Sequence, residues 1–110
     1  MKKEYRIKQG SDIEAIMKLR QNAGNRDFVV YKRENHGQSH FRFAVSVPKK
    51  YGKAVKRNRM KRQIRAIVAG LDIVDHVDIF IVVKPSASTL EFAQIKDNVT
   101  RLMDKLKLLR

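Results

Sequence analysis

The chain contains no cysteine and no tryptophan, two prolines, and 11 acidic residues among 110. Without cysteine there is no disulfide framework, no thiolate nucleophile and no zinc site built on sulfur. The three histidines, His36, His40 and His76, stand too far apart in sequence to suggest a metal triad. The one acidic grouping, Asp72, Asp75 and Asp78, reads as a solvated connection leading into a strand. No catalytic residue, metal ligand or protein-bound cofactor is expected. Long apolar runs are missing too. The longest uninterrupted one is Ile79 to Val83, far short of the roughly 20 residues that span a bilayer. The opening Met1-Lys2-Lys3-Glu4-Tyr5-Arg6 has no apolar stretch behind it and does not resemble a secretory signal. The expectation is a soluble cytoplasmic protein with no membrane partner, folded as one domain over 1–110.

What the chain does carry is positive charge. Lys plus Arg number 25, for a formal net charge of +14. Self-repulsion on that scale disfavours a compact state unless a polyanion offsets it. The charge is also concentrated. Between Asn35 and Leu71 there is no Asp or Glu, while Arg42, Lys49, Lys50, Lys53, Lys56, Arg57, Arg59, Lys61, Arg62 and Arg65 all fall there.

Hydrophobic periodicity predicts the order helix, strand, strand, helix, strand, helix. Ser11-Asp12-Ile13-Glu14 reads as a capping box opening a short helix to about Arg20, with Ile13, Ile16 and Met17 on one face. Phe28 to Tyr31 is a strand by propensity. Phe41 to Val47 alternates, with Phe41, Phe43, Val45 and Val47 on one side and Arg42, Ala44 and Ser46 on the other. Two strands so close in sequence are expected to form an antiparallel hairpin. The helical period runs from about Ala54 to Ala69, stopped by Gly70. Met60, Ile64, Ile67, Val68 and Leu71 share its apolar sector, and Arg57, Asn58, Lys61, Arg62 and Arg65 its cationic one. Asp78 to Val83 is a continuous apolar run, as expected of a central strand covered on both faces. Ser88-Thr89-Leu90-Glu91 reads as a second capping box, before a stripe of Phe92, Ile95, Val99, Leu102, Met103 and Leu106. The class is α+β, an α-β sandwich.

The string from Lys50 to Arg65 holds a Lys-x-Gly turn, Ala54-Val55, Arg57-Asn58-Arg59, then Lys61-Arg62-x-x-Arg65 along one helix. With those spacings it resembles the signature of the bacterial ribonuclease P protein subunit. The similarity extends over Gly24 to Tyr31, Arg42 to Val47 and Asp78 to Pro85. That resemblance implies a four-stranded, mostly antiparallel sheet with three helices, a short extra strand near Arg20 to Ala23, and a left-handed strand–helix–strand crossover. It implies an accessory subunit of an endoribonuclease that removes the 5′ leader of precursor tRNA. Catalysis would belong to ribonuclease P RNA, which would hold the required Mg²⁺, with one protein for each RNA.

By motif match, Arg57, Asn58, Arg59, Lys61, Arg62 and Arg65 would bind the RNA subunit. Guanidinium forks suit phosphate oxygens. Asn58 could serve a base edge, a 2′-hydroxyl or its own helix. A cleft between the first helix and the sheet would hold the leader. Its implied residues are Ile13, Met17, Tyr31, Arg42 and Ser46, rimmed by Lys49, Lys50, Lys53 and Lys84. Ile13 and Met17 stand where aromatic residues are common in the family, and could equally be helix core. Phe28 and Tyr31 point to opposite faces of one strand, so Phe28 is assigned to the core and Tyr31 to the cleft. The competing classes are a structural RNA-binding protein such as a small ribosomal component, a nuclease with its own catalytic residues, and a polybasic membrane-surface binder.

Overall fold

A computed structural model describes residues 3–110. After a short 3₁₀ turn at Lys3–Tyr5 come α1 (Gly10–Lys18), β1 (Asn22–Gly24), β2 (Phe28–Glu34), β3 (Arg42–Ser46), α2 (Ala54–Ala69), β4 (Val77–Val83) and α3 (Phe92–Lys105). Two further 3₁₀ turns, Lys49–Tyr51 and Pro85–Thr89, follow β3 and β4.

The expected hairpin between β2 and β3 does not form. The sheet order is β1-β2-β4-β3, so β4 lies between the two strands that precede it in sequence. It pairs antiparallel with β2 and parallel with β3. The reason lies in burial. Six of the seven β4 residues are buried, and only an interior position in the sheet covers both faces of such a run. β2 and β3 keep polar residues on one side and accept more exposed places. The short first strand is present at Asn22–Gly24, antiparallel to β2.

Side-chain alternation sends the two sheet faces to different partners. Phe28, Val30, Phe43, Ile79, Ile81 and Val83 join the principal core with Met60, Ile64, Ile67 and Val68 of α2 and Ile95, Val99, Leu102 and Met103 of α3. The opposite face carries a smaller cluster in which Ile16 of α1 meets Ile7 and Phe80, flanked by Ile13, Tyr31, Ala44 and Val82. The molecule therefore has three layers: one helix, the sheet, and two helices.

Neither expected capping box forms: that of α1 is absent, and that of α3 is displaced. α1 begins at Gly10, putting Ser11 inside the first turn, and its N-cap Gln9 makes no side-chain cap. That start brings Asp12 within reach of Arg33 (3.4 Å) and Arg42 (3.9 Å), ion pairs linking helix to sheet. α1 stops at Lys18, and Arg20 is left-handed at φ 53°. At α3 the N-cap is Glu91, paired with Gln94 in a reciprocal box, while Ser88 sits in the preceding 3₁₀ turn. Phe92, expected on the buried stripe, is instead 44% exposed and lines a surface groove with Tyr51 and Leu90. Gly70 closes α2 as expected, its amide donating to Ala66.

Candidate nucleic-acid interface

α2 supplies the first surface. Met60, Ile64, Ile67 and Val68 are buried in the core, leaving Lys56, Arg59 and Arg62 exposed and Arg57, Lys61 and Arg65 half-buried. Among the described residues, no cation of α2 or of the preceding segment 49–53 pairs with a carboxylate. The helix has no acidic residue in its first turn, and its N-cap Lys53 makes no side-chain cap. Cations there oppose the positive end of the helix dipole. Burial, and then the nearby Arg6 guanidinium, lower the Arg65 pKa below its usual value. This is a ridge of uncompensated charge, at a cost in helix stability.

The six residues assigned to this ridge do not form one patch. Asn58, Lys61, Arg62 and Arg65, with the exposed Val55, line one shallow depression. Arg59 lies on the other flank, beside Lys56 and Tyr51. Arg57 is turned back, its Nε donating to the Gly52 carbonyl at 3.1 Å, and so fastens the start of α2 to the loop before it.

The second surface is the sheet face beneath α1. Strand register arranges it in three rows: Arg33, Asp78 and Arg42; Tyr31, Phe80 and Ala44; Val29, Val82 and Ser46. α1 covers it incompletely, since Val29, Tyr31, Ala44, Ser46 and Val82 all remain half-buried. Tyr31 stacks on Phe80 with ring centroids 6.0 Å apart. Phe28 is fully buried on the other face, so the two aromatic residues of β2 separate as expected. Ile13 packs at the edge of the small cluster, whereas Met17 is 39% exposed and belongs to no core.

Asp78 is not the solvated residue that its spacing with Asp72 and Asp75 suggested. It is fully buried. Arg42 donates to it from Nε and Nη2, both at 2.9 Å, and Arg33 from Nη2 at 2.7 Å. Asn35 adds its amide at 3.1 Å. Burial alone would push this carboxyl up; the hydrogen bonds from Arg42, Arg33 and Asn35 outweigh it and hold the pKa below the ordinary value. Arg42, assigned to the cleft, is thus committed to a carboxylate, with its own pKa raised chiefly by that bond. Arg33 was not singled out from sequence; only its register opposite Asp78 identifies it.

Asp75 and Asp72 do face solvent, where both approach Arg110. Ser46 closes the third row. Because β3 and β4 run parallel, the exposed Lys49 and Lys50 and the half-buried Lys84 follow them at the same end of the sheet. Lys53 is exposed at the head of α2. Lys84 Nζ donates to the Asn25 carbonyl at 2.7 Å. Asn25 also accepts the amides of Asp27 and Phe28 on its side chain and donates to Asn98 of α3. Asn25 lies within the stretch of family similarity from Gly24 to Tyr31, but its role as an anchor was not singled out from sequence.

Among the described residues, no group of three His, Cys, Asp or Glu side chains is placed to hold a metal ion. His36 and His76 do approach, with centroids 5.5 Å apart, but His40 lies separately against Tyr5, its ring tilted by 42°. No described helix is long and apolar enough to cross a membrane.

Comparison with known proteins adds to this geometry. Residues 1–107 match the family described as Ribonuclease P. A ribonuclease P protein component from Latilactobacillus sakei is 38% identical over 112 residues, covering 100% of this chain and 93% of that protein. The solved structure of the RNase P protein of Staphylococcus aureus superposes with a TM-score of 0.88 at 35% identity, over 96% of this chain and 98% of that one. That of Thermotoga maritima gives 0.80 at 28% identity, over 91% and 96%.

Proposed function

The chain belongs to the ribonuclease P protein family, and from that premise we propose that it binds ribonuclease P RNA through α2 and the 5′ leader of precursor tRNA on the sheet face beneath α1. It is then part of an endoribonuclease complex in the cytoplasm, one protein to each RNA. The observation that carries the reading is the acid-free ridge of α2, where Asn58, Lys61, Arg62 and Arg65 surround one depression without a carboxylate partner among the described residues. RNA phosphates supply the missing counter-charge, and guanidinium groups hold them in fork geometry. Arg57 positions the helix and Arg59 serves its other flank.

The leader lies over the half-covered rows of the sheet. Tyr31, supported by Phe80, offers an aromatic face with little base preference. Ile13 and Met17 add apolar contact, and Ser46 a hydroxyl. Lys49, Lys50, Lys53 and Lys84 attract the strand's phosphates at the open end. Arg42 acts indirectly, by holding β3 to Asp78 and Asp12. Hydrolysis is driven by Mg²⁺ held on the RNA, while the protein contributes binding to a leader that mature tRNA does not have.

Reconstitution tests this. Protein, bacterial ribonuclease P RNA and precursor tRNA are combined at limiting Mg²⁺, each omitted in turn. Cleavage should require the RNA and be stimulated by the protein. Processing by RNA-free protein, or no stimulation, would overturn the reading.

A further inference from the structure

A groove of about 390 Å³ runs along the flank of α2 away from the Asn58–Arg65 depression. Its walls come from α2, from the turn Lys49–Tyr51 and from the start of α3. Three features set it apart. Phe92, in the first turn of α3, is the one exposed phenylalanine among the described residues. Tyr51 and Arg59 stand on the same groove; burial raises the Tyr51 hydroxyl pKa and the Arg59 guanidinium partly opposes this. Lys56 and Arg59 line the groove with no carboxylate partner among the described residues. The one acid there, Glu91, is the N-cap of α3, its backbone amide donating to Gln94 Oε1, and it forms no ion pair with Lys56 or Arg59.

We infer that this groove binds one unpaired nucleotide of the RNA that docks on α2, its base against Phe92 and Tyr51 and its phosphate between Lys56 and Arg59. The inference rests on the docking reading above and extends it. Phosphates engage one flank of the helix, and a base splayed from the same RNA is captured on the other. The chemistry favours a nucleotide over an apolar peptide. A peptide side chain would cover Phe92 but leave two cations unpaired at a drying surface, a costly outcome. A nucleotide brings a ring and an anion together, and aromatic capture of an unpaired base is the usual means of RNA recognition outside helices.

The experiment compares Phe92→Ala, Phe92→Leu and Phe92→Tyr in the full chain, titrating ribonuclease P RNA at several salt concentrations, with Arg62→Ala alongside. Phe92→Ala and Phe92→Leu should each lose about five-fold or more in affinity. The slope of log affinity against log salt should stay unchanged, because stacking releases no counterions. Phe92→Tyr should bind as the parent does. Leucine keeps the apolar volume, so its loss separates stacking from packing, and circular dichroism checks that each variant folds. Parent affinity in Phe92→Ala, or full recovery by leucine, overturns the inference. If Arg62→Ala still weakens binding and flattens the slope, the docking reading stands and only the groove assignment falls. If neither position matters to RNA, both fall together and the groove is left to a protein partner.

Discussion

Among polar side chains of the described residues, Asp78 is the one that is fully buried. It is a buried carboxylate held between two guanidinium groups, and removing one partner of such a set strands the others. Asp78→Asn should cost about 3 kcal/mol or more, a large part of a small domain's stability, read as a fall in denaturant midpoint at constant m. Its pH signature has a definite sign. The folded pKa lies below the ordinary carboxylate value, so the contribution is complete above the unfolded pKa of about 4 and is lost as pH falls toward the folded value. Asp78→Asn should flatten stability against pH in that acidic window; an unchanged acid limb would place the linkage elsewhere. Tyr31 has a different readout. Tyr31→Ala should erode the preference for precursor over mature tRNA while leaving affinity for the RNA subunit near normal. Equal loss toward both tRNA forms would remove Tyr31 from leader binding.

Helices and strands show where sequence patterns suffice and where they do not. The span of α2 and its buried Met60, Ile64, Ile67 and Val68 follow directly from a helical period. The alternation of β3 and the burial of β4 were equally legible. Pairing was not, because nearness in sequence favoured a β2–β3 hairpin, while β4's need for cover on both faces was decisive. The caps misled for a related reason. Serine at a plausible N-cap is a local signal, but the Asp12 contact with Arg33 and Arg42 fits a helix starting at Gly10. At the candidate site the helical period already set Arg59 apart from the sector of Asn58, Lys61, Arg62 and Arg65, but it could not show that Arg57 turns back to the Gly52 carbonyl.

Two predictions concern α2 as a unit. Arg62→Ala with Arg65→Ala should weaken RNA binding and lower the salt slope by roughly 0.7–0.9 for each phosphate left without its cation; an unaltered slope would remove the depression from the interface. Lys53→Asp supplies the missing cap and an acid at the positive end of the dipole. It should stabilise the fold by about 1 kcal/mol in thermal unfolding while reducing RNA affinity.

For the molecule as a whole, a net charge of +14 makes stability depend on what anion is present. Sulfate should raise Tm above its value in chloride at matched ionic strength, by roughly 4–8 °C for each kcal/mol of stabilisation. Equal Tm in both salts would show that the ridge carries little internal strain. The strand order has an outcome for biosynthesis. β4 joins β2 to β3 yet is made after both, so a nascent chain extrudes two strands that must wait, edges open, through the whole of α2. α2 precedes β4 in the chain, so the cationic helix is complete in sequence before the strand that closes the sheet beneath it. Vectorial synthesis therefore delivers the cationic segment before the strand that completes the β-sheet.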